Sequence, residues 1–272
     1  LILGGYGAMA QSTVPDLLES PGVQRVGIAG RNLEKARAFA GVWKDDRALP
    51  LKLDARDNDA LKREFRNWDC VVNSAWYDLN VPIMDCAIKA GIHYIDLGGL
   101  YHQALRQLKM DKQAKDAGVT CILGIGSTPG TMNVMGMNGA SKLDKVHKMI
   151  LRSSGITVEG GEPGKFVVPY AVRTIFDEFS MDAPILRDGK IKFVPALTGL
   201  EVSEFQPPVG KVEGYYTIHS ELATMPQTIG KGIKELDFIV AFPHEFTSTI
   251  ATLVRLGLAA RQEHVVEGEK VR

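Results

Sequence analysis

The sequence predicts an α/β fold in its first half and an α+β fold in its second half. Up to about residue 130, short apolar runs alternate with longer segments of helical period. Beyond that point, strand-like runs bounded by turn residues predominate. Repeated strand–helix–strand units require a parallel sheet with helices on both faces. We therefore expect a doubly wound parallel sheet, followed by a second α+β domain built on a mostly antiparallel sheet.

The elements of the first half follow from its apolar periodicity. The predicted strands are Leu1–Leu3, Val26–Ile28, Leu51–Leu53, Val71–Val72, Tyr94–Ile95 and Thr120–Leu123. The predicted helices include Leu33–Val42, Asp59–Phe65, Pro82–Ala90 and Ala104–Ala117. Gly91 and Gly118 can end two of these helices in the left-handed conformation. Asn80 is expected to start the helix that has Pro82 in its first turn.

The second half carries strands and one late helix. The predicted strands lie in Val146–Ser153, Lys165–Val168, Ile185–Phe193, Gly214–Ile218 and Phe238–Phe242. Asp188-Gly189 splits the third of these runs into a hairpin, because this dipeptide suits a tight two-residue turn. Thr247–Arg261 is predicted to be helical, and His244 and Glu245 are expected to begin a helix after Pro243.

Composition excludes several classes of protein. Lysine plus arginine and aspartate plus glutamate both number 32, so no basic surface for nucleic acid or for a membrane is expected. No apolar run is long enough to cross a bilayer. Three scattered cysteines predict reduced thiols and no metal site, hence a cytoplasmic protein. Because the chain opens inside a strand and stops in a charged segment, residues are expected to be missing at one or both ends.

The turn after the first strand predicts a nucleotide site. Gly5-x-Gly7-x-x-Ala10 fits the dinucleotide fingerprint in its required place, between a strand and a helix. Gly5 permits the tight turn, Gly7 lets the backbone approach the pyrophosphate, and Ala10 lets the helix pack closely. The helix N-terminus favours the anion. A merely tight turn is the alternative. We expect a Rossmann-type domain whose turn residues contact the cofactor: Gly5, Tyr6, Gly7, Ala8, Met9 and Ala10.

Arg31 predicts which dinucleotide binds. It stands at the end of the second strand, where an NAD site usually places an acid on the ribose 2′-hydroxyl. An arginine there can pair with a 2′-phosphate, which favours NADP, with NAD as second choice. The alternative is a solvated loop cation. Other strand-end residues predicted to contact the cofactor are Asn32, Asp54, Ser74, Ala75 and Gly98. Gly98 and Gly99 allow close approach to the nicotinamide or only shape a turn.

At these loops the chain resembles the saccharopine dehydrogenase-like family, which includes saccharopine reductases and lysine 6-dehydrogenases. The resemblance covers nearly the whole chain, and the segments that carry it include Ala29–Ala36, Tyr94–Gly98, Gly126–Asn133, Ile175–Ser180, Pro184–Lys190 and Gly210–Gln227. It implies hydride transfer between a nicotinamide cofactor and a C–N bond of an amino acid or its imine. It also implies a second domain that binds substrate and builds a homodimer. In carrying Arg31 at the end of the second strand, the chain is more similar to the NADP-dependent saccharopine reductases than to the lysine 6-dehydrogenases.

Three parts are expected from the motifs and the resemblance. Residues 1–128 form the dinucleotide-binding domain, 129–255 the substrate-binding and dimerisation domain, and 256–272 an incomplete C-terminal segment. The predicted substrate pocket is formed where strand-end loops meet the second domain. The residues expected to contact substrate are Gly99, Thr128, Pro129, Gly130, Asn133, Tyr170, Arg173, Tyr216 and Glu221.

Hydride transfer also needs a relay for one proton. The candidate catalytic residues are His219, Tyr77 and Asp96. Of these, His219 has an imidazole, which titrates near neutral pH. Alternatively, His219 only packs at the start of a helix, and Arg173 is only a cation on the surface of a helix. A different class of function stays open as well. The chain can be a redox-sensing NAD(P)-binding regulator without turnover; a methyltransferase fits the Pro129-Gly130 turn poorly.

Overall fold

A computed structural model describes residues 1–156, 167–261, 264–266 and 269–271. The chain divides into two compact units, Leu1–Met132 and Asn133–Arg272. The first half of the predicted strand Lys165–Val168 lies outside the described residues, as does part of the segment 256–272, and Val167 and Val168 are not in a strand.

The N-terminal unit contains one parallel sheet. Its strands are β1 (Ile2–Leu3), β2 (Val26–Gly30), β3 (Ala48–Lys52), β4 (Cys70–Asn73), β5 (His93–Asp96) and β6 (Cys121–Ile122). Its helices are α1 (Ala10–Glu19), α2 (Leu33–Trp43), α3 (Asn58–Phe65), α4 (Asn80–Ala90), α5 (Tyr101–Leu108) and α6 (Asp111–Asp116), with a 3₁₀ turn at Tyr77–Leu79. The helix α7 (Thr131–Ser141) begins at the end of this unit.

The sheet has the order β3-β2-β1-β4-β5-β6, and every strand pair in it is parallel. From β1, the strands β2 and β3 are added on one side of the sheet, and β4, β5 and β6 are added on the other side. Doubly wound sheets bind ligands at the point where this order changes, here between β1 and β4. Consecutive residues of β1 face opposite sides, since Ile2 packs in the cluster with α1 and α2 and Leu3 in the cluster with α3 and α4. Helices therefore cover both faces, as predicted.

The predicted strands of this unit are all present, and α4 begins at Asn80 as expected. One helix prediction is wrong. The segment 104–117 forms two helices, because the chain turns at Lys109 and Met110. There the Met110 amide donates to Gln107 O, three residues back instead of four. Apolar spacing does not reveal such a local change of hydrogen bonding.

The C-terminal unit contains a mixed sheet that is mostly antiparallel. Its strands are β7 (Lys148–Ser154), β8 (Ala183–Arg187), β9 (Lys190–Val194), β10 (Glu201–Glu204), β11 (Lys211–Tyr216) and β12 (Glu235–Ala241). Its helices are α8 (Val172–Ser180), α9 (Glu221–Thr228) and α10 (His244–Arg255). A separate hairpin joins β13 (His264–Val266) and β14 (Glu269–Val271).

Strand β12 organises this second sheet. It pairs with β11 and β8 in the antiparallel sense and with β7 in the parallel sense. The hairpin β8–β9 turns at Asp188 and Gly189, both of which have positive φ, so the turn prediction is confirmed. Helix α10 begins at His244 as expected, but it ends at Arg255 rather than Arg261. The predicted fold class is confirmed.

Two further observations concern the described part of the chain. None of its helices has the length and apolar character needed to cross a membrane. Cys70, Cys86 and Cys121 are free thiols, and Cys86 is buried.

Candidate functional site

The turn between β1 and α1 is formed by backbone atoms in close contact. Gly4 has a φ of +76°, and a Cβ atom there would lie 2.8 Å from Ser74 O, in the loop after β4. A Cβ atom on Gly5 would lie 2.8 Å from Ala29 N, and the Gly5 amide donates to Ala29 O. Glycine is therefore required at both positions. Gly7 is less crowded, since a Cβ atom there would meet Gly4 O at 3.2 Å.

This turn fits the pyrophosphate of a dinucleotide. It leads directly into α1, whose first turn contains no acidic side chain. Met9 is exposed and Ala10 is completely buried, so the helix packs closely while its N-terminus stays open to an anion. The contact between Gly4 and Ser74 places the turn at the reversal point between β1 and β4.

Residues after β2 and β3 form the adjoining edge. The Tyr6 ring lies against Gly30, and the Tyr6 hydroxyl accepts a hydrogen bond from Asn32 N at 3.0 Å. Asn32 also caps α2 through its side chain. Arg31 is exposed. Hydrogen bonds from Arg56 lower the pKa of Asp54 to about 2, and the charge of Arg31 contributes to the lowering. Arg31 and Asp54 therefore share this edge, where the 2′-phosphate was predicted.

Hydrogen bonds connect the ends of β4 and β5. Asn73 Nδ2 donates to Asn80 Oδ1 at 2.8 Å, and Asn80 Nδ2 donates to Gly98 O at 3.1 Å. Asn73 Oδ1 accepts from the amide of Ala75. The predicted cofactor residues Ala75 and Gly98 thus belong to loops held by one network of side chains. Ser74 lies in the same loop as Ala75 and donates its amide to Leu3 O.

Asp96 is the most fully bonded carboxylate of this network. It is completely buried at the end of β5. Its Oδ1 accepts from the amides of Gly98 and Gly124, both at 2.8 Å. Its Oδ2 accepts from Tyr94 OH at 3.0 Å and from Gln107 Nε2 at 2.7 Å. Four donors satisfy this carboxylate and fasten β5 to the loop after β6; its predicted part in proton transfer stays a prediction.

The Pro129-Gly130 turn packs against the same strand end. Gly98 has a φ of +101°, and a Cβ atom there would lie 2.5 Å from the Pro129 ring. Gly130 has a φ of +122° and has no room for a side chain beside Gly126 O. The close approach that Gly98 permits is therefore an approach to proline. Thr128 precedes this turn through a cis bond.

The remaining predicted residues of the N-terminal unit lie next to this turn. A Cβ atom on Gly99 would lie 3.4 Å from Tyr77 Cβ. Tyr77 is 7% exposed, whereas Trp76 before it is 45% exposed. Tyr77 and Gly99 are thus brought together, and their roles toward substrate stay predictions.

In the C-terminal unit, His219 lies between two glutamates. Its Nδ1 is 2.5 Å from Glu221 Oε2, and its Nε2 is 3.8 Å from Glu178 Oε1. The imidazole stacks on Phe238, with ring centroids 3.8 Å apart. His219 is 6% exposed, and both glutamates are 2% exposed or less. His219 does lie just before α9, as expected if it only packs at the start of a helix, but it also faces two carboxylates.

Burial and charge shift the pKa values in this cluster. Burial alone lowers the pKa of His219, but the carboxylate of Glu221, through its charge and hydrogen bond, and that of Glu178 outweigh it and leave the pKa raised. Burial raises the pKa of Glu178 from 4.5 to about 7, against the lowering effects of His219 and of the Tyr170 hydrogen bond. Tyr170 OH lies 2.5 Å from Glu178 Oε2.

Two predicted substrate residues do not join Tyr170. Arg173 pairs with Asp177 on its own helix, with Nη2 and Oδ1 3.1 Å apart. Tyr216 OH accepts from Arg187 Nη2 at 3.1 Å. The predicted trio of Tyr170, Arg173 and Tyr216 is therefore separated into three different sets of contacts. Asn133 lies in the first turn of α7, and its Nδ2 is 3.4 Å from Thr224 Oγ1.

Two residues of these sites are absent from the sequence predictions. Gly4 has the positive φ in the first turn, and the run Gly4-Gly5 was the signal for it. Glu178 lies on the face of α8 that buries Ile175 and Phe179. An acid three residues from a buried isoleucine, on the apolar side of a helix, was the signal for a buried carboxylate.

Comparison with known proteins identifies the type of the N-terminal unit. Residues 1–122 match the family model described as the saccharopine dehydrogenase NADP-binding domain. An NADP(+)-specific, L-glutamate-forming saccharopine dehydrogenase of Pyricularia oryzae is 30% identical over 131 residues, which are 48% of this chain and 27% of that protein. A carboxyaminopropylagmatine dehydrogenase of Synechocystis is 21% identical over 255 residues, 90% of this chain and 62% of that protein.

A solved structure shares the fold. The apo saccharopine dehydrogenase (L-Glu forming) from Saccharomyces cerevisiae matches with a TM-score of 0.73 and 19% identity, over 98% of this chain and 59% of that one. Between 27% and 62% of each curated relative's length is spanned by the present chain. The resemblance and the choice of NADP made from the sequence are confirmed.

Proposed function

We propose that the chain is an oxidoreductase, because residues 1–122 match the family model of the saccharopine dehydrogenase NADP-binding domain. It transfers a hydride between NADP(H) and a C–N bond of an amino-acid-like substrate or its imine. The names of the relatives support this substrate class, because they are a saccharopine dehydrogenase, a carboxynorspermidine synthase and a carboxyaminopropylagmatine dehydrogenase.

One observation carries the proposal. The glycine turn after β1 touches the loop after β4, where the sheet order reverses, and no side chain can be added at Gly4 or Gly5 without a collision. Backbone amides and the start of α1 then hold the pyrophosphate, and Arg31 binds the 2′-phosphate. The bound nicotinamide supplies or accepts the hydride.

The protein's own groups have the remaining tasks. The chemistry needs one proton in addition to the hydride, and His219 and Tyr77 are the proposed relays. Glu221 and Tyr170 are the proposed contacts to the substrate. We assign substrate binding and dimer formation to residues 129–255, and we propose a cytoplasmic homodimer as the working form. Light scattering in solution tests the dimer.

The experiment follows NADPH and NADH absorbance with a panel of amino acids, polyamine carboxylates, and 2-oxo acids or aldehydes supplied with amines. We expect turnover with NADPH on at least one substrate in which a C–N bond is formed or oxidised. Tight NADPH binding without turnover on any member of the panel would instead favour the redox-sensing regulator. Failure to bind either cofactor would contradict both functions.

A further inference from the structure

The cluster in the C-terminal unit places a histidine between two buried carboxylates that come from different elements. Glu178 lies in α8, Glu221 begins α9, and His219 lies in the loop before α9. Phe238 of β12 supports one face of the imidazole. The imidazole is thus held by its hydrogen bond to Glu221 and by the stacked aromatic ring, and its other nitrogen faces the Glu178 carboxylate.

The distances allow the protons to be counted. Nδ1 and Glu221 Oε2 are 2.5 Å apart, so this contact holds a hydrogen. A neutral imidazole with that hydrogen on Nδ1 has a bare lone pair on Nε2. Nε2 faces Glu178 Oε1 at 3.8 Å. Two unprotonated acceptors facing each other in a dry site would both lose their solvation without compensation. One further proton, on Nε2 or on Oε1, removes the conflict.

Tyr170 determines which oxygen of Glu178 is available for that proton. The Tyr170 hydroxyl donates to Oε2, the oxygen farther from the histidine pair, at 2.5 Å. A proton on Glu178 therefore belongs on Oε1, toward Nε2. The other carboxylates that act on Glu178 are those of Glu221, which pairs with His219, and of Asp177, which the guanidinium groups of Arg173 and Arg261 neutralise.

We propose that Glu178 is a positioning residue for His219 and that the pair carries one proton, on Nε2 or on Oε1, with the two atoms coupled by charge across a gap of 3.8 Å that is too long for a hydrogen bond. In this arrangement His219 stays an imidazolium whenever Glu178 is ionised. That this proton is the one exchanged in the C–N chemistry rests on the proposed function, in which a C=N carbon takes a hydride and its nitrogen takes a proton. The shared proton itself does not depend on turnover.

The test measures the protonation of His219 by the ¹⁵N chemical shifts of its ring in the full chain, with signals identified by His219→Asn. Glu178→Gln keeps the shape of the side chain and removes its charge. We expect the midpoint of the His219 titration to fall by about one pH unit or more. The pH profile of NADPH-dependent turnover should move in the same direction. An unchanged titration in Glu178→Gln would overturn the proposal.

Asp177→Asn is the matched control. Asp177 is the preceding residue of α8 and is equally buried, but it faces Arg173 and Arg261 instead of His219. Its replacement should leave the His219 titration in place, and an equal shift in both variants would reduce the effect to general loss of charge and overturn the assignment.

Tyr170→Phe provides a second reading if Glu178→Gln does not fold. Loss of the hydroxyl donor makes Glu178 a stronger base, so the shared proton should leave at higher pH; an unmoved titration would overturn the proposal. Absence of turnover on every substrate, with the titration shifted as expected, would reject the proposed function and leave the shared proton intact.

Discussion

Asp96 of the N-terminal unit and the Glu178–Glu221 pair of the C-terminal unit are buried in different ways. Asp96 in the N-terminal unit accepts four hydrogen bonds from the protein, two of them from backbone amides. Glu221 in the C-terminal unit is equally buried, yet its Oε1 has no hydrogen-bond partner, and Glu178 faces a histidine across 3.8 Å. Full satisfaction fixes a structure, whereas partial satisfaction leaves a group able to exchange protons. Asp96 therefore holds the loops around it in place, whereas Glu178 and His219 can take up and release a proton.

The largest expected effect is on the stability of the N-terminal unit. Asp96→Ala leaves four donors without their acceptor, so we expect a loss of about 3–5 kcal/mol in the free energy of unfolding. Denaturant titration of the wild type and of the variant measures this loss of stability. Asp54→Ala is the control, because Asp54 lies just after β3, is only partly buried and pairs with Arg56; this change should cost less than about 1 kcal/mol. Equal losses would show that the four hydrogen bonds of Asp96 stabilise the N-terminal unit no more than the ion pair of Asp54 does.

Cofactor binding should respond to Gly7 without loss of the fold. Gly7→Val needs a small shift of the turn, since the nearest atom to a Cβ would be Gly4 O at 3.2 Å, and its side chain fills the space of the pyrophosphate. We expect NADPH affinity to fall by more than about 100-fold, roughly 2.7 kcal/mol, in calorimetry. Gly22→Val, where a Cβ meets nothing within 4 Å, should bind as wild type. Unaltered affinity in Gly7→Val would refute the fingerprint interpretation.

Stability should fall as the pH rises through neutrality. Folded Glu178 binds its proton more tightly than unfolded Glu178, with a pKa of about 7 against 4.5, and His219 also has a raised pKa. The stabilisation is complete at low pH and is lost as pH rises from about 4.5 to 7 and beyond, by on the order of 2 kcal/mol. Denaturation at pH 5 and pH 8 measures this. Asp54, with a pKa of about 2, acts only below that window.

A matched variant isolates the source of this pH dependence. Glu178→Gln cannot titrate at that position, so the decline between pH 5 and pH 8 should become shallower. A wild-type profile that rises over this range, or a variant with the wild-type slope, would contradict the assignment to Glu178.

The smallest effect concerns the choice of cofactor. Arg31→Ala should weaken NADPH binding by about tenfold, or about 1.4 kcal/mol, and leave NADH binding unchanged, since only NADPH carries the 2′-phosphate. Arg37→Ala, an exposed arginine paired with Glu34 on α2, is the control. If both cofactors lose affinity equally, Arg31 is not the 2′-phosphate ligand.

The sequence was most informative where local chemistry decides the structure. The glycine turn, the Asp188-Gly189 hairpin and the start of α4 at Asn80 each depend on a few adjacent residues, and all three are confirmed. The second sheet was harder to predict. The parallel pairing of β7 with β12 joins strands separated by about 80 residues, and no local pattern specifies it.

Side-chain partners were the least predictable feature. Arg173, Tyr170 and Tyr216 have the chemistry for a carboxylate site, but the fold gives each a different neighbour. In the sequence, Glu178 cannot be told from an exposed helical glutamate, because its burial depends on the orientation of α8. Burial depends on tertiary packing, and therefore the sequence predicts the class of chemistry better than the residues that perform it.

The hydrogen bonds of Asn73, Asn80 and Asp96 have a consequence for the thermodynamics of binding. They connect the loops after β4, β5 and β6 through groups of the protein itself. A surface whose loops are already ordered loses little conformational entropy when a molecule binds to it. Association at this edge should therefore carry a small entropic penalty, and more of the interaction energy remains as affinity.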